Sequence, residues 1–148
     1  MNLIEILFWV VVIVSVTFFL LGLKSQKGKP KGLVDGQLAD CGAAPNCVSS
    51  EADTQPEKVV PPLRCTMAEA KAAVQATGGI ITTDSDDYVS ATYMSKLFKF
   101  VDDVELRKDG DVVQIRSSSR VGYSDRGMNR KRVAAIRAQL GANLPPEV

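Results

Sequence analysis

The most informative part of the sequence for the fold is FVDDVELRKDGDVVQIRS, residues 100–117. Its two halves, FVDDVELRK (100–108) and DVVQIRS (111–117), have the composition of strands and flank Asp109-Gly110. This dipeptide favours a two-residue hairpin turn because both residues tolerate a positive φ. The stretch therefore predicts a β-hairpin near the end of the chain.

Two more strands and a helix precede this hairpin. The runs GIITT (79–83) and YVSATYMS (88–95) are β-rich and are joined by an acidic turn. Ahead of them, Thr66 and Glu69 form a capping-box pattern, which predicts a helix from about Met67 to Ala76.

A final helix of about fourteen residues is predicted after a cap at Ser124 or Asp125. Its apolar residues follow an i, i+3, i+7 spacing and are expected to lie on the sheet: Val133, Ile136 and Leu140. Asn129 lies one turn earlier on the same face. An asparagine that points inward needs hydrogen-bond partners, so it either braces the preceding loop or belongs to a site.

These elements predict a small α+β domain over residues 65–142, with a mostly antiparallel four-stranded sheet and two helices. Residues 24–64 hold five of the seven prolines in the chain and show no sustained apolar periodicity. They are predicted to be a linker and an irregular Cys/Pro segment. Residues 143–148 are predicted to be a tail.

Residues 1–23 are predicted to be a transmembrane anchor. From Ile6 to Leu23 the only polar side chains are Ser15 and Thr17. A helix over this run is about 27 Å long, close to the roughly 30 Å of a bilayer core. A cleaved signal peptide is the competing interpretation, but no Lys or Arg precedes the run and no A-x-A-like site follows it. We expect residues 6–23 to contact the lipid bilayer as a single-pass anchor.

Charge is distributed unevenly along the rest of the chain. Residues 33–111 contain seven Lys or Arg against fourteen Asp or Glu, whereas residues 112–137 contain seven against one. The cations of the second region surround the stretch SSSRVGYSDRGMNRKR (117–132). Free backbone amides at the start of a helix also favour anions there.

This basic loop is predicted to accept a carboxylate or a phosphate. The candidate ligand-binding residues are Arg116, Ser117, Ser119, Arg120, Ser124, Asp125, Asn129 and Arg130. The alternative is internal pairing, in which Arg116 contacts the acidic strand carrying Asp102 and Asp103 and the other cations lie on a solvated helix surface. Nucleic acid is not expected as a partner, because only Tyr123 offers an aromatic platform among the arginines.

Cysteine and histidine content limits the possible chemistry. The chain has three cysteines and no histidine, so no metal site, cofactor or Ser-His or Cys-His nucleophile is predicted. Cys41 and Cys47 either form a disulfide in an oxidising compartment, which leaves Cys65 odd, or remain inert thiols.

Three blocks of the sequence have the character of motifs: GLVDGQLADCGAAPNCVSSE (32–51), KLFKFVDDVEL (96–106) and IRSSSRVGYSDRGMNRKRVAAIR (115–137). Together they resemble the family called domain of unknown function 1499, over about residues 32–140. Asp40 and Gly42 stand where that family favours proline. The resemblance implies no activity, but it does imply a location outside the cytosol, because similar proteins include bacterial lipoproteins and plant proteins of the thylakoid lumen.

Two arguments disagree about the side of the membrane on which the domain lies. Lys24, Lys27, Lys29 and Lys31 follow the span, and the positive-inside rule keeps such residues in the cytoplasm. The family resemblance places the domain outside, and we expect it to prevail because short basic flanks bias topology without dictating it. The predicted location is the inner (cytoplasmic) membrane, with a periplasmic domain.

The predicted function is a membrane-tethered extracytoplasmic binding or accessory module, a subunit or partner of a membrane or envelope protein complex. Its basic loop would hold an anionic ligand or an acidic patch of a membrane-protein partner. The alternative is an enzyme acting on an anionic envelope substrate, with Asp102, Asp103 or Asp125 as acid or base and the arginines as a clamp. Asp102 and Asp103 alternate sides of a strand, so they face one pocket only across a bulge.

Overall fold

The computed structural model describes residues 1–142 and contains three helices and two sheets. The helices are α1 (Leu3–Gln26), α2 (Met67–Ala76) and α3 (Met128–Ala142). The strands are β1 (Leu33–Val34), β2 (Gln37–Leu38), β3 (Cys47–Ser49), β4 (Ile80–Asp84), β5 (Tyr88–Met94), β6 (Val101–Asp109) and β7 (Val112–Ser119). The tail predicted at residues 143–148 lies outside the described residues.

The larger sheet has five antiparallel strands in the order β3-β7-β6-β5-β4. The predicted α+β class is confirmed, but the predicted number of four strands is wrong. The additional strand, β3, lies in the segment predicted to be linker and irregular, and its three residues are too few to show an alternating pattern. It pairs Cys47 with Ser118 and Ser49 with Arg116.

The turn between β6 and β7 is formed by Gly110 and Asp111, one residue later than predicted. Asp109 pairs with Val112, and Gly110 has a φ of 58°. Glycine at the first central position is the preference of type II′ turns, which need a positive φ at that position alone. This turn fixes the strand register, which places Glu105 directly opposite Arg116.

The two helices α2 and α3 cover one face of the sheet. The helix α2 begins with the predicted capping box, in which the hydroxyl of Thr66 accepts from the amide of Glu69 and the carboxylate of Glu69 accepts from the amide of Thr66. Alternate residues of β6 and β7 and the predicted stripe of α3 meet in the apolar core, which includes Val104, Leu106, Val113, Ile115, Val133 and Ile136.

The opposite face of the sheet is covered by the chain that follows α1. Leu38 is buried there, and Glu51 holds the guanidinium of Arg107 through both carboxylate oxygens, at 2.9 Å each. Glu51 also accepts a hydrogen bond from the amide of Leu38, at 2.9 Å. Part of the predicted linker is therefore a packed layer of the domain.

The helix α1 has the length and composition of a membrane-spanning helix, with a mean hydropathy of 2.8 and 6% of its most apolar window buried. A signal sequence shares both properties.

The end of α1 is built into the domain. Ser25 is fully buried, and its hydroxyl accepts a hydrogen bond from the amide of Val101 at 3.0 Å. Gly22 lies so close to the carbonyl of Phe98 that a Cβ atom would collide with it. These contacts fix the position of the helix relative to the sheet.

Candidate functional site

The predicted ligand-binding residues are divided between the two faces of the sheet. Ser117 and Ser119 point toward α3, where both are hydrogen-bonded to Asn129. Arg116 and Arg120 lie on the opposite face, where they meet carboxylates of β6. Because side chains alternate along a strand, the eight residues do not form one site.

Asn129 is fully buried and braces the loop before α3. Its side-chain nitrogen lies 2.9 Å from the carbonyl oxygen of Asn46 and 3.0 Å from the hydroxyl of Ser119. Its side-chain oxygen accepts from the hydroxyl of Ser117 at 2.7 Å. The residue thus joins β7, α3 and the segment that enters β3, as the brace interpretation requires.

Asp125 organises the start of α3. Its carboxylate accepts from the backbone amides of Gly127 and Asn129, at 2.9 and 2.8 Å. Burial alone would raise the pKa of Asp125, but these hydrogen bonds outweigh it and hold the pKa below its usual value. The neighbouring Ser124 accepts from the amide of Arg126 at 3.3 Å.

Arg130 lies apart from the other predicted arginines. Its guanidinium donates to the carbonyl oxygens of Glu57 and Val59, at 2.7 and 3.0 Å. It therefore fastens the segment after β3 to α3.

Arg116 forms a buried ion pair with Glu105. Its Nη1 lies 2.8 Å from Oε2 of Glu105, and the two side chains are 2% and 0% exposed. The other carboxylate oxygen accepts from the hydroxyl of Tyr88 at 2.8 Å and the amide of Gly32 at 2.7 Å. Burial, followed by this hydrogen bond, raises the pKa of Tyr88. The Nε atom of Arg116 is buried and has no hydrogen-bond partner within residues 1–142.

Arg120 joins the sheet to the end of α1. Its guanidinium makes two hydrogen bonds of 2.7 Å with the buried carboxylate of Asp103. Its Nη1 donates to the carbonyl oxygens of Ser25 and Gly28, at 3.1 and 2.6 Å. Carbonyls at the end of a helix lack intrahelical donors, so Arg120 caps α1.

Three of the predicted residues nevertheless line one polar cavity of about 190 Å³, namely Arg116, Ser119 and Arg120. We call it the basic cavity, because its wall contains Lys29, Lys31, Arg116 and Arg120 but a single carboxylate, that of Asp103. Drug-sized ligands occupy roughly 300 to 1,000 Å³. The basic cavity therefore suits one small anion or one acidic side chain.

The sequence did not identify Lys29 and Lys31 as site residues. They precede the arginines by almost ninety positions, and their segment has no periodicity that would place it on the sheet. In the sequence these lysines indicate only the flank of a membrane span.

A disulfide between Cys41 and Cys47 forms part of the wall of the basic cavity, with the two Cα atoms 5.4 Å apart. Cys65 is free and half-buried. Burial is the main cause of the raised pKa of the Cys65 thiol.

A second, more apolar cavity of about 390 Å³ lies between α1 and the domain. Its wall combines Phe18 and Leu21 of α1 with Phe100, Val121 and Met128, and it also contains Ser119, Ser124 and Asp125 from the predicted set.

Each carboxylate proposed as a catalytic acid or base is bound by a guanidinium group or by backbone amides. Asp102 lies 2.7 Å from Nη2 of Arg132 on the helix side of the sheet, whereas Asp103 binds Arg120 on the other side. Within residues 1–142 there is no group of three or more His, Cys, Asp or Glu residues placed to hold a metal ion.

The chain matches a known protein family. A family model described as "Protein of unknown function (DUF1499)" matches residues 37–140, well over half of the chain. The matched region begins at β2 and includes the five-stranded sheet, α2 and most of α3, and it excludes α1. No curated protein matches the chain.

Proposed function

The chain belongs to the DUF1499 family of proteins of unknown function, and from its own geometry we propose that it is a membrane-tethered, extracytoplasmic binding or accessory module. In this proposal α1 crosses the inner membrane, and the basic cavity holds an acidic group. That group is a small anion or a carboxylate or phosphate presented by a partner membrane or envelope protein.

The observation that carries the proposal is the charge of the basic cavity, whose wall contains four cationic side chains against the single carboxylate of Asp103. Arg116 is paired with Glu105 and Arg120 with Asp103. The positive charge that remains for an anion is therefore that of Lys29 and Lys31 on the same wall. A charge-assisted hydrogen bond at this position is favourable for carboxylate and phosphate alike.

The extracytoplasmic placement is supported by the disulfide between Cys41 and Cys47. Disulfides persist in oxidising compartments and are rare in the cytosol. The opposing argument from the four lysines after the span is weakened, because Lys29 and Lys31 line the basic cavity and so have a second explanation.

No observation among the described residues favours the alternative of an enzyme. Asp102 and Asp103 face opposite sides of the sheet, and a guanidinium holds each of them. Asp125 is occupied by backbone amides. A general acid or base needs a proton-transfer atom free to reach the substrate.

Inorganic phosphate is expected to stabilise the full chain in mild detergent against heat. At a concentration ten times its Kd, the effect is about 1.4 kcal/mol, or roughly 5 °C for a domain of this size. The double variant Lys29→Gln, Lys31→Gln should lose most of this shift, because it removes two of the four cations of the cavity. The melting temperature is measured with phosphate and with chloride at equal ionic strength, since screening acts in both.

The matched control is Lys108→Gln with Lys131→Gln, which removes the same charge from two exposed positions outside the basic cavity. This control is expected to show the same increase in melting temperature with phosphate as the wild-type chain. An equal shift in both double variants would show that phosphate acts on net charge and not at the basic cavity.

Membrane orientation gives a separate prediction. A reporter that requires disulfide formation, fused after Val148, is expected to be active in cells. Cys41 and Cys47 should resist alkylation in denatured protein until a reductant is added, while Cys65 reacts without it. Free thiols at Cys41 and Cys47 in protein taken directly from cells would contradict the extracytoplasmic placement.

A further inference from the structure

The loop between β5 and β6, residues 95–100, lies beside α1 and not beyond its end. The ring of Phe98 packs on that of Phe18, with centroids 5.4 Å apart, and its carbonyl meets Gly22. Both α1 residues belong to the apolar run that ends at Leu23. At 1.5 Å per residue, Phe18 lies about 7 Å below Leu23 along the helix axis. The loop is therefore level with the last turn and a half of the run.

The loop has a defined shape. The amide of Ser95 donates to the carbonyl of Phe100 at 2.8 Å, and the amide of Phe100 donates to the hydroxyl of Ser95 at 2.9 Å. Lys99 has a φ of 56°, which closes the turn. These hydrogen bonds and this turn fix the backbone of the loop, so its exposed residues have defined positions at the tip.

That tip is apolar and flanked by lysines. Leu97 is 80% exposed, and Lys96 and Lys99 are exposed on either side of it. Met128, which is 51% exposed, also lies beside α1, in the wall of the cavity that contains Phe18 and Leu21. Lysines next to apolar side chains are typical of segments that lie in the boundary between headgroups and acyl chains.

We propose that residues 95–100 are a second membrane contact, in which Leu97 enters the lipid bilayer that α1 crosses and Lys96 and Lys99 bind anionic headgroups. The inference rests on the proposed membrane tether, and it holds for either orientation of the chain. The contact follows from the position of the loop along the axis of α1. Because the loop packs against the apolar run, it cannot remain in bulk water once that run spans the bilayer. A lipid surface thus covers a leucine that the fold leaves exposed.

The strand β6 supplies a matched control position. It begins at Val101, next to the loop, and ends at Asp109, about 26 Å away at 3.3 Å per residue. Asp111 in the turn beyond is exposed and therefore lies far from the proposed contact.

Tryptophan fluorescence in vesicles that contain anionic lipid tests the proposal. Trp9 is the sole tryptophan of the chain, so W9F/L97W and W9F/D111W each carry one reporter. Trp at position 97 is expected to be quenched by lipids brominated near the headgroup and protected from aqueous iodide. Trp at position 111 should behave in the opposite way. Adding K96Q/K99Q to the position 97 variant should reduce the dependence of quenching on the anionic lipid fraction.

Quenching of Trp9 in the wild-type chain shows whether a negative result concerns the loop contact or the proposed membrane tether, α1. If Trp9 is quenched by brominated lipid while position 97 is as open to iodide as position 111, the loop contact is wrong and the tether stands. Protection of position 97 from both quenchers would indicate a protein contact and would also overturn the inference. If Trp9 itself escapes lipid quenching, α1 does not span the bilayer and both proposals fail.

Discussion

Glu105→Ala is expected to lower the free energy of unfolding by about 3 to 5 kcal/mol, the usual cost of removing one partner of a buried ion pair. The substitution leaves the guanidinium of Arg116 buried without its carboxylate and removes the acceptor of Tyr88 and of the Gly32 amide. Domains of this size are stable by about 5 to 15 kcal/mol, so the loss is a large fraction of the total. Pulse proteolysis of the full chain in mild detergent and increasing urea measures it.

Two further variants identify the cause of this loss. Glu57→Ala removes an exposed carboxylate and should change the free energy of unfolding by no more than about 0.5 kcal/mol. The double variant Glu105→Leu, Arg116→Leu should recover much of the stability, because an apolar replacement of a whole buried pair is often neutral. A loss below about 1 kcal/mol in Glu105→Ala would mean that the pair does not hold the sheet.

Arg120→Met is expected to cost a similar 3 to 5 kcal/mol, because it leaves Asp103 charged and buried. It also removes the donor to the carbonyls of Ser25 and Gly28, so the end of α1 should detach from the sheet. Stability is measured by the same pulse proteolysis. Detachment is measured by hydrogen exchange of the Val101 amide, which is bonded to Ser25 and should exchange faster in the variant.

Arg126→Met is the matched control, since Arg126 is exposed on the same loop. It should leave both the free energy of unfolding and the exchange of Val101 unchanged. If Arg120→Met behaved like this control and only lost anion binding, Arg120 would be the ligand residue that the sequence predicted, and its role in joining α1 to the sheet would be wrong.

Local signals predicted most of the elements. The capping box at Thr66 and Glu69 gave the bounds of α2, and the glycine of the hairpin placed β6 and β7 to within about two residues. Both signals act between residues near in sequence. The short strand β3 was missed because its pairing with β7 depends on residues about seventy positions away.

The candidate site was predicted less well than the fold, because it depends on register. A turn at Asp109 and Gly110 would place Arg116 opposite Asp103, whereas the observed turn at Gly110 and Asp111 places it opposite Glu105. The same shift leaves Asp103 for Arg120. The turn propensities of the residues do not distinguish two turn positions that differ by one residue. That difference nevertheless decides which charged side chains are buried together.

If α1 spans a bilayer as proposed, the bond between Arg120 and the end of α1 couples the tilt of the helix to the orientation of the domain. Transmembrane helices are tilted by about 20° from the bilayer normal on average, and the tilt differs from one setting to another. Because Ser25 and Arg120 fix α1 to the sheet, the domain leans through the same angle. A tilt of about 10° displaces the Gly110 end of the hairpin sideways by roughly 5 Å, given strands that rise 3.3 Å per residue. A change in the tilt of the helix would thus change which side of the hairpin faces a neighbouring molecule.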